Sequence, residues 1–180
     1  MKGVNLFMIT IVKSPLADSR SANKPPTESE LLNATKMHIK DVRQAMGFIA
    51  DSLKERAKNH DYTKIENIEA YTDALNSEGI KETEWYKYHT TTERHHLKSH
   101  IPENVNLIDV LEHVCDCTMA GLARSGEVYD IDIDPDVLVL AVENTVKILK
   151  AHTEVLEDNK DHFDIDNDDS NNILDEVVKD

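Results

Sequence analysis

From Glu30 onward the apolar positions recur at helical spacing. Leu31, Thr35, His38, Val42, Ala45, Ile49 and Leu53 advance by threes and fours and make one stripe, while the lysines, Arg43 and Gln44 fall mostly on other faces. The pattern predicts a helix over residues 30–58. Thr27 or Ser29 would cap it, with Glu28 and Glu30 near its positive end, and Asn59-His60-Asp61 would close it. A second helical stretch covers 65–75 and breaks at Ser77-Glu78-Gly79. A third begins near Glu82 and runs through Trp85, His89, Thr92 and His96 until Pro102. A fourth covers 107–123, with Ile108, Leu111, Cys115, Met119 and Leu122 as its apolar set and Gly126 at its end. A fifth starts at Pro135, suited to a first helical turn, and carries Val139, Val142, Val146 and Leu149 on one face to about Leu156. Five glycines and five prolines in 180 residues are too few for a turn-rich β fold. The expectation is an all-α chain: a compact helical bundle over 29–157, a flexible arm or linker over 1–28, and an acidic tail over 158–180.

Composition alters this picture at the two ends. Residues 13–28 are polar with three prolines, as in a linker. The apolar run 4–12 is too short to span a membrane and reads as a short strand or an ordered arm; its faint likeness to a signal peptide lacks a small-residue cleavage site. Net charge is −15, from 35 acidic and 20 basic side chains, and residues 154–180, with eleven acidic against two basic, carry −9 of it. A chain without a basic face does not suit duplex nucleic acid, whose binding draws on counterion release. Asp164, Asp166 and Asp168 have the alternate spacing of a calcium loop, but Asp169, Asn171 and Asp175 stand where glycine, an apolar residue and glutamate are needed, so the segment reads as solvated tail. Cys115 and Cys117, two apart on a helix, do not face each other, which points to a reducing, cytoplasmic setting without disulfides.

Candidate chemistry lies in the nine histidines and their order. His60-Asp61 sits at a helix end, His89 precedes the pair His95-His96, and Asp116 stands in the middle of an otherwise apolar helix face with Glu112 one turn before it. Imidazoles and carboxylates together hold Mn²⁺, Fe²⁺, Co²⁺, Ni²⁺ or Zn²⁺, and an aspartate turned to a core needs such a partner or an arginine such as Arg94 or Arg43. His38 on the apolar stripe is either a core histidine or a further ligand. His100 and His113 read as surface residues, and His152 and His162 fall outside the pattern.

An isolated helical histidine, a His-Asp doublet, further histidines and a distant aspartate follow the order found in the HD-domain metal-dependent phosphohydrolases, which this chain resembles at His38, His60-Asp61 and Asp116. The resemblance implies metal ligation by those residues, a second ion held by His89 with His95 or His96, and phosphate contact by Lys64 at the HDxxK spacing. Across HIKDV, HDYTK, RHH and NLIDVLEHVCD, roughly residues 36–123, the chain is similar to a group of small, mostly phage-encoded HD-like proteins of uncharacterised function. It departs from them at Thr91 and Thr92, where they carry histidines, and at Leu97-Lys98, where they carry Pro-Glu.

The implied function is hydrolysis of a small phosphorylated metabolite, a nucleotide in first place, by water activated on one or two divalent ions. Asp61 and Glu112 would serve the water and Lys64 and Arg94 the phosphate. The alternative is a non-catalytic, metal-stabilised helical interaction module. No membrane partner is expected, the location would be cytoplasmic (a host's, if the chain is phage-encoded), and homo-oligomerisation is open. One geometric condition attaches to His38. It lies 22 residues before His60, which on one straight helix is about 33 Å, so shared ligation requires the chain to turn back between them, with Gly47, then Asp51-Ser52, as the breaking points.

Overall fold

The computed structural model describes residues 8–14, 25–128 and 130–157. The calcium-like run 164–175, and most of the expected arm and tail, lie outside the described residues. Among the described residues helices dominate: α1 (Glu28–Asn59), α2 (Tyr62–Glu66), α3 (Ile68–Leu75), α4 (Glu84–Thr92), α5 (Leu107–Ser125) and α6 (Pro135–Ala151), with a short 3-10 turn at Ile80–Glu82. The fold is all-α apart from a two-stranded sheet of β1 (Ile9–Val12) and β2 (Thr153–Leu156). No helix among the described residues is long and apolar enough to cross a membrane.

Two compact units divide the chain: residues 1–9 with 40–153, and residues 10–39 with 154–180. In the second unit, Thr27 opens α1 with a reciprocal cap, its hydroxyl accepting from the Glu30 backbone N–H while the Glu30 carboxylate accepts from the Thr27 backbone N–H at 2.7 Å. Lys13 donates its backbone N–H to the Leu156 carbonyl at 2.8 Å.

The first unit holds all the clustered histidines. Its core joins Leu97, Val105, Val110, Val137 and Ala141, with Leu107, Ile133 and Leu140 packed against them, and α5 lies on α6. Polar side chains of α6 then pin the loop before α5: Asn144 Nδ2 donates to the Val105 carbonyl (2.9 Å), and Thr145 Oγ1 accepts the Leu107 N–H (2.9 Å). Asn106 and Asp109 close a reciprocal capping box at the start of α5, and Gly126, with φ 77°, ends it.

Two expected boundaries shift. The third helix stops at Thr92, and Arg94-His95-His96 lie in a turn that keeps its own short bonds, such as Leu97 N–H to the His95 carbonyl at 2.8 Å. The last helix ends at Ala151 and the chain becomes β2. Thr153 and Val155, β-branched and at the helix end, suit extended backbone better than another turn. The orientation of α5 and α6 also differs from the apolar pattern. Leu111, Cys115, Met119 and Leu122 on α5, and Val139, Val142 and Val146 on α6, are exposed, while α5 buries Asp109, Glu112 and His113 and α6 buries Asn144 and Thr145. The polar faces turn inward because each of those groups finds a partner there, which removes the cost of burying it.

Asp109 shows this most fully. It has no exposed surface and takes Arg94 Nε at 2.8 Å and Nη2 at 2.6 Å, Arg56 Nη2 at 3.2 Å and the Asn106 backbone N–H at 3.0 Å. Removing one side of a buried ion pair leaves the other charge uncompensated, at a cost of about 3 kcal/mol or more. Asp109→Ala is therefore expected to lower unfolding free energy by about that amount in urea titrations; a loss under about 1 kcal/mol would show that the arginines find water instead.

Candidate metal centre

α1 ends at Asn59, and the chain reverses through Asp61, whose φ of 55° and ψ of 21° make it the one non-glycine residue with positive φ among the described residues. Aspartate tolerates this left-handed backbone better than most residues. The turn lets the Asp61 carboxylate meet side chains from three other places: His60 beside it, His89 on α4 with His95 and His96 in the following turn, and Asp116 on α5.

Two groups of donor atoms form, each within 4.8 Å overall: His60, Asp61, His95 and Asp116 in one, Asp61, His89 and His96 in the other. Asp61 belongs to both. In the first group His60 Nε2 stands 3.6 Å from Asp61 Oδ2 and 3.7 Å from Asp116 Oδ1. His95 Nε2 stands 3.7 Å from Asp61 Oδ1 and 3.9 Å from Asp116 Oδ2. In the second, His89 Nε2 is 3.5 Å from Asp61 Oδ1 and 2.7 Å from His96 Nε2. The His95 ring is fully buried, and neither of its nitrogens, nor Asp61 Oδ1, has a hydrogen-bond partner among the described residues. Buried donors and acceptors left in this way are costly unless something binds them. Mixed imidazole and carboxylate sets with small mutual separations fit a divalent transition ion in either group.

Glu112 lies behind the first group. Its Oε1 accepts from His60 Nδ1 at 3.0 Å and approaches His95 Nδ1 to 3.3 Å, while Oε2 has the Arg56 guanidinium at 3.5 Å. A carboxylate on the Nδ1 side leaves both Nε2 atoms turned to Asp61 and Asp116. That corrects the expected role of Glu112 beside the water: it faces the back of the imidazoles. Arg94 is corrected too, because its guanidinium is committed to Asp109 and to the side chain and carbonyl of Asn104 at 2.9 and 3.0 Å. Lys64 pairs with Asp61 Oδ2 at the rim.

Neither donor group found among the described residues includes His38. α1 runs without a break through Gly47, Asp51 and Ser52, and His38 is exposed. The turn that shared ligation required is absent, since Gly47 sits in a helix that its neighbours sustain. His113, expected at the surface, is buried and donates Nδ1–H to the His95 carbonyl at 2.8 Å, with Cys117 Sγ beside its ring; His100 is exposed. Three supporting residues escaped the sequence pattern: Arg56, Thr63 and Glu93. Glu93 follows His89 by four residues, the spacing of neighbours on one helix face, and this was the available signal.

Electrostatics separate the imidazoles. Burial, then His95 and His89, push His96 down to about 3. Burial also lowers His89. Burial alone would lower His95, but Glu112, Asp61 and Asp116 outweigh it and raise it. Burial disfavours the Asp61 and Glu112 anions, yet Lys64, His60 and His95 hold Asp61 low, and His95, His60 and Arg56 hold Glu112 low. His89 and His96 are thus neutral near pH 7, the form that ligates. A stack of three rings lies alongside: Tyr71 stacks on Trp85 at 4.3 Å between ring centroids, and Trp85 on His89 at 4.8 Å.

Residues 27–180 match a protein family described only as a family of unknown function, DUF5662. No curated protein and no solved structure matches the chain.

Two outcomes are expected. Metal content after reconstitution should be unchanged in His38→Ala and lost in the double variant His60→Ala/Asp61→Ala, as elemental analysis would show; loss in His38→Ala would overturn its exclusion. In chelator-treated protein the fold holds His96 at about 3 and His89 also below its ordinary value, so the unfolded state binds more protons below pH 6.5 and stability falls as pH falls, by up to about 1.4 kcal/mol per pH unit for His96. His95 acts in the opposite sense, its contribution being present below pH 6.5 and lost above it. With two imidazoles against one, calorimetry should give a lower melting temperature at pH 5 than at pH 6.5, and a flat or inverted profile would contradict the assignment.

Proposed function

We propose that this chain, which belongs to the DUF5662 family of unknown function, is a divalent-metal-dependent phosphohydrolase acting on a small phosphate ester, with a nucleotide as the first substrate to test. The observation that carries the reading is the sharing of Asp61 between two donor groups. One ion would be held by His60, Asp61, His95 and Asp116, the other by Asp61, His89 and His96. The ions would lower the pKa of water and supply positive charge at the phosphoryl oxygens.

The chain's own residues do the rest. With a net charge of −15 and no basic face, the protein has little long-range attraction for phosphate. Two divalent ions against the carboxylates of Asp61 and Asp116 would leave the centre locally cationic, which confines anion binding to that spot. Lys64 gives one of its three N–H donors to Asp61 and keeps the others for a phosphate oxygen at the rim. Glu112 keeps His60 and His95 oriented and is a positioning residue. The HD-like order of HDYTK, RHH and NLIDVLEHVCD supports the reading, and the exposed His38 departs from that family's pattern.

Asp61→Ala should abolish turnover in a screen of nucleotides and other phosphate esters with added Mn²⁺, Co²⁺ or Ni²⁺, while circular dichroism keeps the helical signal. Lys64→Ala should chiefly raise KM. Full activity in Asp61→Ala would remove the mechanism. If the wild-type protein turns over no ester but melts at a much lower temperature after chelation, the centre stabilises the fold and does not catalyse.

A further inference from the structure

The half-site of Asp61, His89 and His96 is backed by a buried hydrogen-bond chain. Thr63, on α2 two residues after Asp61, and His89 are each 3% exposed, and Glu93, just after α4, is 8% exposed. Glu93 Oε1 accepts the Thr63 backbone N–H at 2.9 Å and lies 2.8 Å from Thr63 Oγ1, which in turn lies 2.6 Å from His89 Nδ1. A hydroxyl has one proton to donate, and a carboxylate oxygen accepts only. The Thr63 proton therefore goes to Glu93, and the Thr63 oxygen must receive its second bond from His89 Nδ1–H. A neutral imidazole carries a single N–H, so His89 Nε2 is left with a lone pair, and this is the atom that faces Asp61 Oδ1 and His96 Nε2.

We propose that Glu93 and Thr63 form a positioning relay that fixes the tautomer of His89 and thereby controls loading of the second ion, at Asp61, His89 and His96, separately from the first. The inference rests on the metal-centre reading above. Glu112 serves the first group directly; Glu93 serves the second through a hydroxyl. The two orienting carboxylates act on different imidazoles, Glu112 by direct contact and Glu93 through Thr63, so each half-site has its own support. Orienting partners of this kind typically change metal affinity by about 10- to 100-fold when lost.

The test uses the full chain, metal-free, titrated with Co²⁺ by calorimetry and checked by elemental analysis, for wild type, Thr63→Val and Thr63→Ser. Wild type is expected to take two equivalents. Thr63→Val, which keeps the shape and removes the hydroxyl, should hold the first equivalent at wild-type affinity and bind the second about 10- to 100-fold more weakly, and Thr63→Ser should restore it. Equal affinities in wild type and Thr63→Val would overturn the relay and leave the metal centre standing. Absence of Co²⁺ binding in wild type would overturn the centre itself and the relay with it, and a single equivalent would remove the second half-site. Should Thr63→Val fail to fold, nitrogen-15 spectra of the wild-type imidazoles decide: a proton on His89 Nδ1 supports the relay, and one on Nε2 overturns it.

Discussion

A carboxylate with no exposed surface, Asp109, ties together the segments that carry the candidate metal centre. Arg56 reaches it from the last turns of α1, just before His60. Arg94 reaches it from the turn that carries His95 and His96. Asp109 itself caps α5, seven residues before Asp116. Three pieces of chain that are distant in sequence thus meet on one anion. In a low-dielectric interior such a network is stable only when every member is satisfied. Here the carboxylate receives four close contacts, and Arg94 gives two further donors to Asn104.

From that anchor the centre is built in layers. Glu112, one turn along from Asp109, reads the Arg56 guanidinium on one oxygen and two imidazoles on the other. Asp61 projects from a left-handed turn into the space between both histidine pairs. The acids and bases stay charged or neutral according to their immediate neighbours: His95 among carboxylates is raised, and His89 and His96, among other imidazoles and away from water, are lowered. The same packing that desolvates the rings also decides which of them can offer a lone pair.

Much of this was visible in the residues alone, for reasons that also explain the misses. Helices with clear three-and-four periodicity and strong end signals, such as Gly126 after α5 and Pro135 at the start of α6, were legible because those signals are local. The convergence of His60, Asp61, His89, His95, His96 and Asp116 could be expected from residue types that are costly to bury singly. His38 shares an apolar stripe with its neighbours, and nothing local distinguishes a continuous helix from one broken at Gly47. Thr63 carried no signal, because a threonine in a polar stretch resembles a solvated residue until the tertiary fold buries it, and Glu93 offered only its spacing of four from His89. The inward faces of α5 and α6 escaped for a related reason: periodicity assigns apolar faces inward, and only partner geometry shows that Asp109, Asn144 and Thr145 are satisfied there.

The stacking of Trp85 on His89 gives the centre an optical window of its own. This indole is the single tryptophan of the chain, it is buried, and its neighbour in the stack is an imidazole of the second donor group. Emission excited in the tryptophan band therefore originates at one place, stacked 4.8 Å between ring centroids on an imidazole of the second donor group. A change at His89 would therefore meet the one indole of the chain, and it could be followed by intrinsic fluorescence without a label.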